Sequence, residues 1–177
     1  MISRVLGTCK KRMTQMLNAA LIGAVALLVF SVCWGVFTRY VLRSQAEWTD
    51  ELARFLLIWI ALLGGAVAFG TKGHLGVDYF VGKLHPEGAK LMAVIGQIIV
   101  LVFSVAVLLI GGSQVVRNTL AMQQTTPALG WKMGHVYLAL PISGVFVILY
   151  TLENLIDILK ASPEQVQKMN EESEVVD

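Results

Sequence analysis

Four long runs without a single Asp, Glu, Lys or Arg, at 13–38, 55–71, 91–116 and 133–152, constrain this chain more than any other feature. A water-soluble fold has no use for them, and a bilayer requires them. A helix rises about 1.5 Å per residue, so about 20 residues cross a hydrocarbon core of about 30 Å. The shortest run reaches that length if its helix begins within 50–54. Lipid offers no partners to backbone N–H and C=O groups, so each run must be helical. The expected fold is an all-α integral membrane protein with four transmembrane helices.

Hydrophobic residues make up 56% of the 177 positions, which leaves room for one bundle and no second domain. The sequence predicts one membrane domain over 1–160 and a tail over 161–177. Five acids (Glu164, Glu171, Glu172, Glu174, Asp177) face Lys168 alone in that tail, and such a segment is expected to be disordered. Over 1–15 the apolar residues Ile2, Val5, Leu6, Cys9 and Met13 recur at helical spacing. The leader reads either as an amphipathic helix in the headgroup layer or as a frayed basic segment. Its apolar continuation is too long for a cleaved signal peptide.

Charge distribution carries more information than the net value of +2. Arg4, Lys10, Lys11, Arg12, Lys72, Lys83, Lys90, Lys160 and Lys168 fall on one side of a four-span topology. Arg39, Arg43, Arg117 and Lys132 fall on the other, so the richer side, with both termini, is expected to be cytoplasmic. Between the second and third runs Val77, Phe80, Val81 and Leu84 predict a short interfacial helix stopped by Pro86, with His74 and His85 as solvated loop residues.

The first connection, 39–55, is the densest in polar groups. Thr49 is placed to cap the second helix, with Asp50 and Glu51 complementing its dipole. Arg54 lies within pairing distance of either acid, one turn into the bilayer, where an unpaired guanidinium is costly. Tyr40 and Trp48 suit the interfacial belt. These residues either anchor two helix ends or meet another protein. In the second span Ala61, Gly64, Gly65 and Ala68 form two small-xxx-small patterns that let helix backbones approach. The third run continues without a breaker to Pro127 and must tilt or project. Pro141 is expected to kink the fourth span.

No ionisable side chain occurs at mid-membrane depth; Ser31, Gln97, Ser104 and Ser143 are the strongest polar groups there. No catalytic constellation, cofactor motif, metal-ligand spacing or nucleic-acid-binding feature is present, and Cys9 and Cys33 make no redox pair. Ion-coupled carriers usually hold charged or coordinating groups at the midplane, on repeated folds with broken helices. This inventory fits a subunit that supports another membrane protein.

Three segments carry a resemblance. Arg39-Tyr40 with Glu47-Trp48-Thr49-Asp50-Glu51-Leu52-Ala53-Arg54, then Gly73-His74-Leu75-Gly76-Val77-Asp78, then Pro127-Ala128-Leu129-Gly130-Trp131 through Tyr137 to Leu140-Pro141-Ile142-Ser143, resemble the DctQ-type small membrane subunit of tripartite ATP-independent periplasmic (TRAP) transporters over 17–159. The resemblance implies a bacterial inner-membrane location, a large multi-span partner subunit holding substrate and sodium sites, and a periplasmic protein that captures a carboxylate such as sialic acid or a C4-dicarboxylate. It further implies a non-catalytic, scaffolding small subunit. Arg39, Tyr40, Glu47, Trp48, Asp50, Glu51 and Arg54 become interface or anchoring residues by this analogy, Ala61, Gly64, Gly65 and Ala68 packing residues, and Pro141 a helix-shaping one. The alternatives are an accessory subunit of another membrane complex or a stand-alone four-helix carrier. A small multidrug-type exporter would need an acid in its first span, which 16–37 lacks.

Overall fold

The computed structural model describes residues 2–44, 46–70 and 86–161. Four helical crossings form the structure: α1 (Ile2–Tyr40), α2 (Glu47–Gly70), a third built from α3 (Pro86–Phe103), π1 (Ser104–Gly111) and α4 (Gly112–Ala121), and a fourth built from α5 (Met133–Tyr137) and α6 (Ala139–Lys160). Each crossing is long and apolar enough to span a membrane. The predicted interfacial helix around Val77–Leu84 and the acidic tail lie outside the described residues.

The leader is continuous with the first span. α1 runs unbroken from Ile2, since no proline interrupts the run and helix propagation across 1–15 is easier than a break. The second helix likewise starts earlier than Thr49. Glu47 is its first residue, and the Thr49 hydroxyl, now in the first turn, donates to the Ala46 carbonyl at 2.7 Å.

α6 is the central element, packed against α2, α3 and π1, while α1 packs chiefly on α2. Leu17, Leu63 and Tyr150 form the core where α1, α2 and α6 meet, flanked by Met13, Trp59 and Phe146. Glycine sets the closest approaches. A Cβ on Gly35 would lie 2.7 Å from Thr49 Oγ1, one on Gly70 would lie 2.8 Å from the Tyr150 ring, and those on Gly112 and Gly144 would strike Leu140 and Leu108. These are not the small residues that the sequence pattern singles out.

The fourth crossing breaks at Leu138, between α5 and α6. Pro141 has no N–H to offer the Tyr137 carbonyl four residues back, so the helical ladder lacks one bond beside that break. The third crossing is continuous, as expected, but contains an eight-residue π segment that no sequence signal announced. It lies where the broken fourth crossing passes: Leu108 meets Gly144, and Leu140 and Pro141 crowd Gly112.

Ser31, Gln97, Ser104 and Ser143, the polar groups expected at depth, are all buried, between 0% and 3% exposed. Ser31 donates to the Thr49 carbonyl at 3.1 Å, and Ser104 and Ser143 donate to carbonyls of their own helices. Turning polar groups inward leaves an apolar outer surface, the arrangement a bilayer demands.

Candidate docking surface

Two surfaces concentrate the residues of the sequence motifs: the end of the bundle opposite the termini, and the outward face of α2. At that end α1 closes with Ser44 N–H donating to the Thr38 carbonyl at 3.2 Å, a turn that puts Arg43 at φ 53°. Arg39 occupies the last turn of α1, where its charge complements the helix dipole, and its guanidinium carbon stands 5.9 Å from the Tyr40 ring centroid. Tyr40 is 74% exposed. Arg39, Glu47, Trp48 and Asp50 are exposed as well.

Glu51 departs from expectation. Its Oε2 accepts the backbone N–H groups of Ala128 at 3.1 Å and Leu129 at 2.7 Å, so it turns toward the loop after α4 and not toward Arg54. That loop is tightly built. Thr125 and Lys132 form an antiparallel bridge, the Thr126 N–H donates to the Trp131 carbonyl, Gly130 N–H returns to the Thr126 carbonyl, and Trp131 N–H reaches Thr126 Oγ1. Gly130 sits at φ +66°, a conformation that disfavours side chains. Pro127 has no N–H, so Glu51 satisfies the two donors of 126–131 that the loop's own acceptors leave over. A carboxylate accepting two successive backbone donors makes charge-assisted bonds, stronger than neutral ones. Two motifs 77 residues apart are thus joined by one side chain. Nothing in their spacing could have disclosed it, because no periodicity connects a helix start to a distant loop.

The outward face of α2 carries Asp50, Arg54, Leu57, Ala61, Gly65 and Ala68, all exposed and spaced three or four residues apart. Its opposite face, with Thr49, Phe55, Leu63, Ala66 and Gly70, is buried in the bundle. Gly64 and Gly65 have open space where a Cβ would stand. Arg54 is exposed about 10 Å along the helix from Glu47, at 1.5 Å per residue. The structure therefore brings Arg54 and the small residues onto one stripe, and separates them from Glu51.

Among the described residues no group of three His, Cys, Asp or Glu side chains could hold a metal ion. Residues 28–161 match the family described as tripartite ATP-independent periplasmic transporters, DctQ component. The chain belongs to the DctQ family. It is 28% identical to the sialic acid TRAP transporter small permease protein SiaQ of Vibrio cholerae, over 90% of this chain and 87% of that protein. A putative TRAP transporter small permease protein of Haemophilus influenzae is 31% identical, with 82% and 91% covered. The isethionate TRAP transporter permease protein DctMQ of Oleidesulfovibrio alaskensis is 26% identical over 76% of this chain, which there accounts for 22% of a longer protein. Membership makes this DctQ-family chain a small permease subunit of a TRAP transporter, a multi-pass inner-membrane protein of a transport family and not an enzyme. Small permease subunits of this kind partner a large permease subunit.

Proposed function

We propose that this subunit scaffolds the large permease subunit of a sodium-driven, binding-protein-dependent importer, and that the outward face of α2 is where the two meet. The observation that carries this reading is the stripe Arg54, Leu57, Ala61, Gly65, Ala68: small residues exposed on the surface of the bundle, with open space beside Gly65, aligned with an exposed arginine. Within lipid, small residues favour a closely packed helix, and a guanidinium one or two turns below the helix start calls for an acceptor or a counter-charge. A lipid-facing helix surface has no need of either feature. Both are satisfied by a partner helix carrying an acid or carbonyl oxygen level with Arg54.

The far end, with Arg39, Tyr40, Trp48 and the loop held by Glu51, faces the periplasm in this reading, with both termini in the cytoplasm. There it anchors the subunit in the headgroup layer and lies on the side from which a periplasmic binding protein delivers substrate. The substrate belongs to the anionic class, sialic acid or a C4-dicarboxylate, and its selectivity resides in the partner subunits. The different substrates in the relatives' names, sialic acid and isethionate, support that division.

Co-expression of the tagged chain with its large subunit tests the seam. Arg54→Ala and Gly65→Leu are expected to lower recovery of the complex in mild detergent, whereas Lys168→Ala leaves it unchanged. Equal recovery for all three variants would return the α2 stripe to lipid.

A further inference from the structure

A polar layer crosses all four helical crossings near the end that carries the termini. Thr14 of α1 hydrogen-bonds to the Tyr150 hydroxyl of α6 at 2.9 Å, and the Tyr150 ring lies over Gly70 of α2. One turn further along α6, Asn154 Nδ2 donates to the Phe69 carbonyl of α2 at 3.2 Å. The third crossing contributes Gln97, 3% exposed. Its level follows from two fixed points of the antiparallel packing. Lys90 Nζ reaches the Leu159 and Ala161 carbonyls at one end, and Leu108 meets Gly144 at the other. Counting inward from both places Gln97 level with residues close to Asn154.

Among the described residues, two oxygens of α6 in this layer find no hydrogen-bond partner. Thr151 Oγ1 and Asn154 Oδ1 are fully buried, on residues only 1% and 4% exposed. Spaced i, i+3, they share a face of α6. Thr151 stands two turns beyond Gly144, on the side that meets the third crossing, and Asn154 already spans to α2. Burying such a group without a hydrogen bond is costly, and far from bulk water the cost has no easy relief.

From this geometry we infer an internal hydration site: one ordered water, held between α2, α3 and α6, donates to Asn154 Oδ1 and Thr151 Oγ1. The need here is for a donor, and one water can give a proton to each of the two oxygens. The oxygens concerned are neutral, an amide and a hydroxyl. A bare cation would add uncompensated charge, so water fits the layer better. The water ties the fourth crossing to the second and third at one height, and so fixes the register that turns the α2 stripe outward.

X-ray radiolytic labelling of the subunit in lipid nanodiscs, read by mass spectrometry, tests this directly, because hydroxyl radicals made from a bound water mark the side chains beside it. Tyr150, 0% exposed, is expected to be oxidised at least fivefold faster than Phe55, which is 8% exposed among apolar neighbours. Thr151→Val and Asn154→Leu should each suppress Tyr150 labelling while the labelling of exposed Trp131 stays unchanged, which reports an intact fold. Exchanging sodium for choline should change nothing. Tyr150 labelling no faster than Phe55, labelling indifferent to both substitutions in a folded subunit, or labelling that requires sodium would each overturn the assignment.

Discussion

Single atoms set the geometry at both ends of the bundle. At the far end Glu51 Oε2 holds the 126–131 loop through the Ala128 and Leu129 N–H groups. Glu51→Ala removes both acceptors at once. Water reaches this part-buried site, so the expected loss is about 1 kcal/mol, at the lower end of the cost of unpaired donors. Amide hydrogen exchange at Ala128 and Leu129 should rise about fivefold or more while exchange inside α6 stays unchanged; unaltered exchange at both would mean that the loop holds itself. At the other end a Cβ on Gly70 would stand 2.8 Å from two atoms of the Tyr150 ring, whose hydroxyl is tied to Thr14. Since that ring cannot yield without breaking the bond, Gly70→Ala is expected to cost about 1–3 kcal/mol. Gly64→Ala meets open space and gains helix propensity, so it should be neutral or slightly stabilising. Thermal unfolding of the two variants in detergent checks the contrast, and equal midpoints would contradict it.

At the scale of helices, α2 has two faces with different tasks. Phe55, Leu63, Ala66 and Gly70 pack inward, and Arg54, Leu57, Ala61, Gly65 and Ala68 look outward. Gly65→Leu should therefore leave the isolated subunit's thermal midpoint within about 1 °C, as expected for surface changes away from packed groups, yet lower its affinity for the large subunit by tenfold or more. A variant that unfolds the isolated subunit would place Gly65 in the bundle instead. The spans were legible because their signal is local and one-dimensional: charge must be absent over a bilayer's thickness, and each of the four charge-free runs lies in a helical crossing long enough to span, the second as far as Gly70. The missing N–H of Pro141 is local in the same way, since it acts on its own helix. The small residues of α2 were visible as a pattern but without a direction, because which face looks inward depends on partners in other helices, Gly35 of α1 against Thr49 and Tyr150 of α6 against Gly70. The Glu51 clamp and the π1 segment opposite Gly144 are relations between distant segments, and neither composition nor periodicity encodes them. Thr151 and Asn154 were missed because a span bounded at Leu152 cuts through their layer.

Across the whole molecule, an even number of crossings brings the leading end of α1 and the trailing end of α6 to one end of the bundle, where Thr14 meets Tyr150. The excess of basic residues on that end predicts that it is cytoplasmic. A reporter active only in the cytoplasm, fused after Leu159, should be active, and one requiring the periplasm should be silent; the reverse pattern would invert the subunit. Among the described residues the buried polar groups are neutral hydroxyls and amides, with no charged midplane site to carry an ion or an anion between two states. The most direct test is uptake into liposomes under an inward sodium gradient, with this chain reconstituted alone and then with its large subunit and binding protein. The chain alone is expected to give no accumulation above empty liposomes and the full assembly sodium-dependent accumulation; accumulation by the chain alone would make this subunit a carrier in its own right.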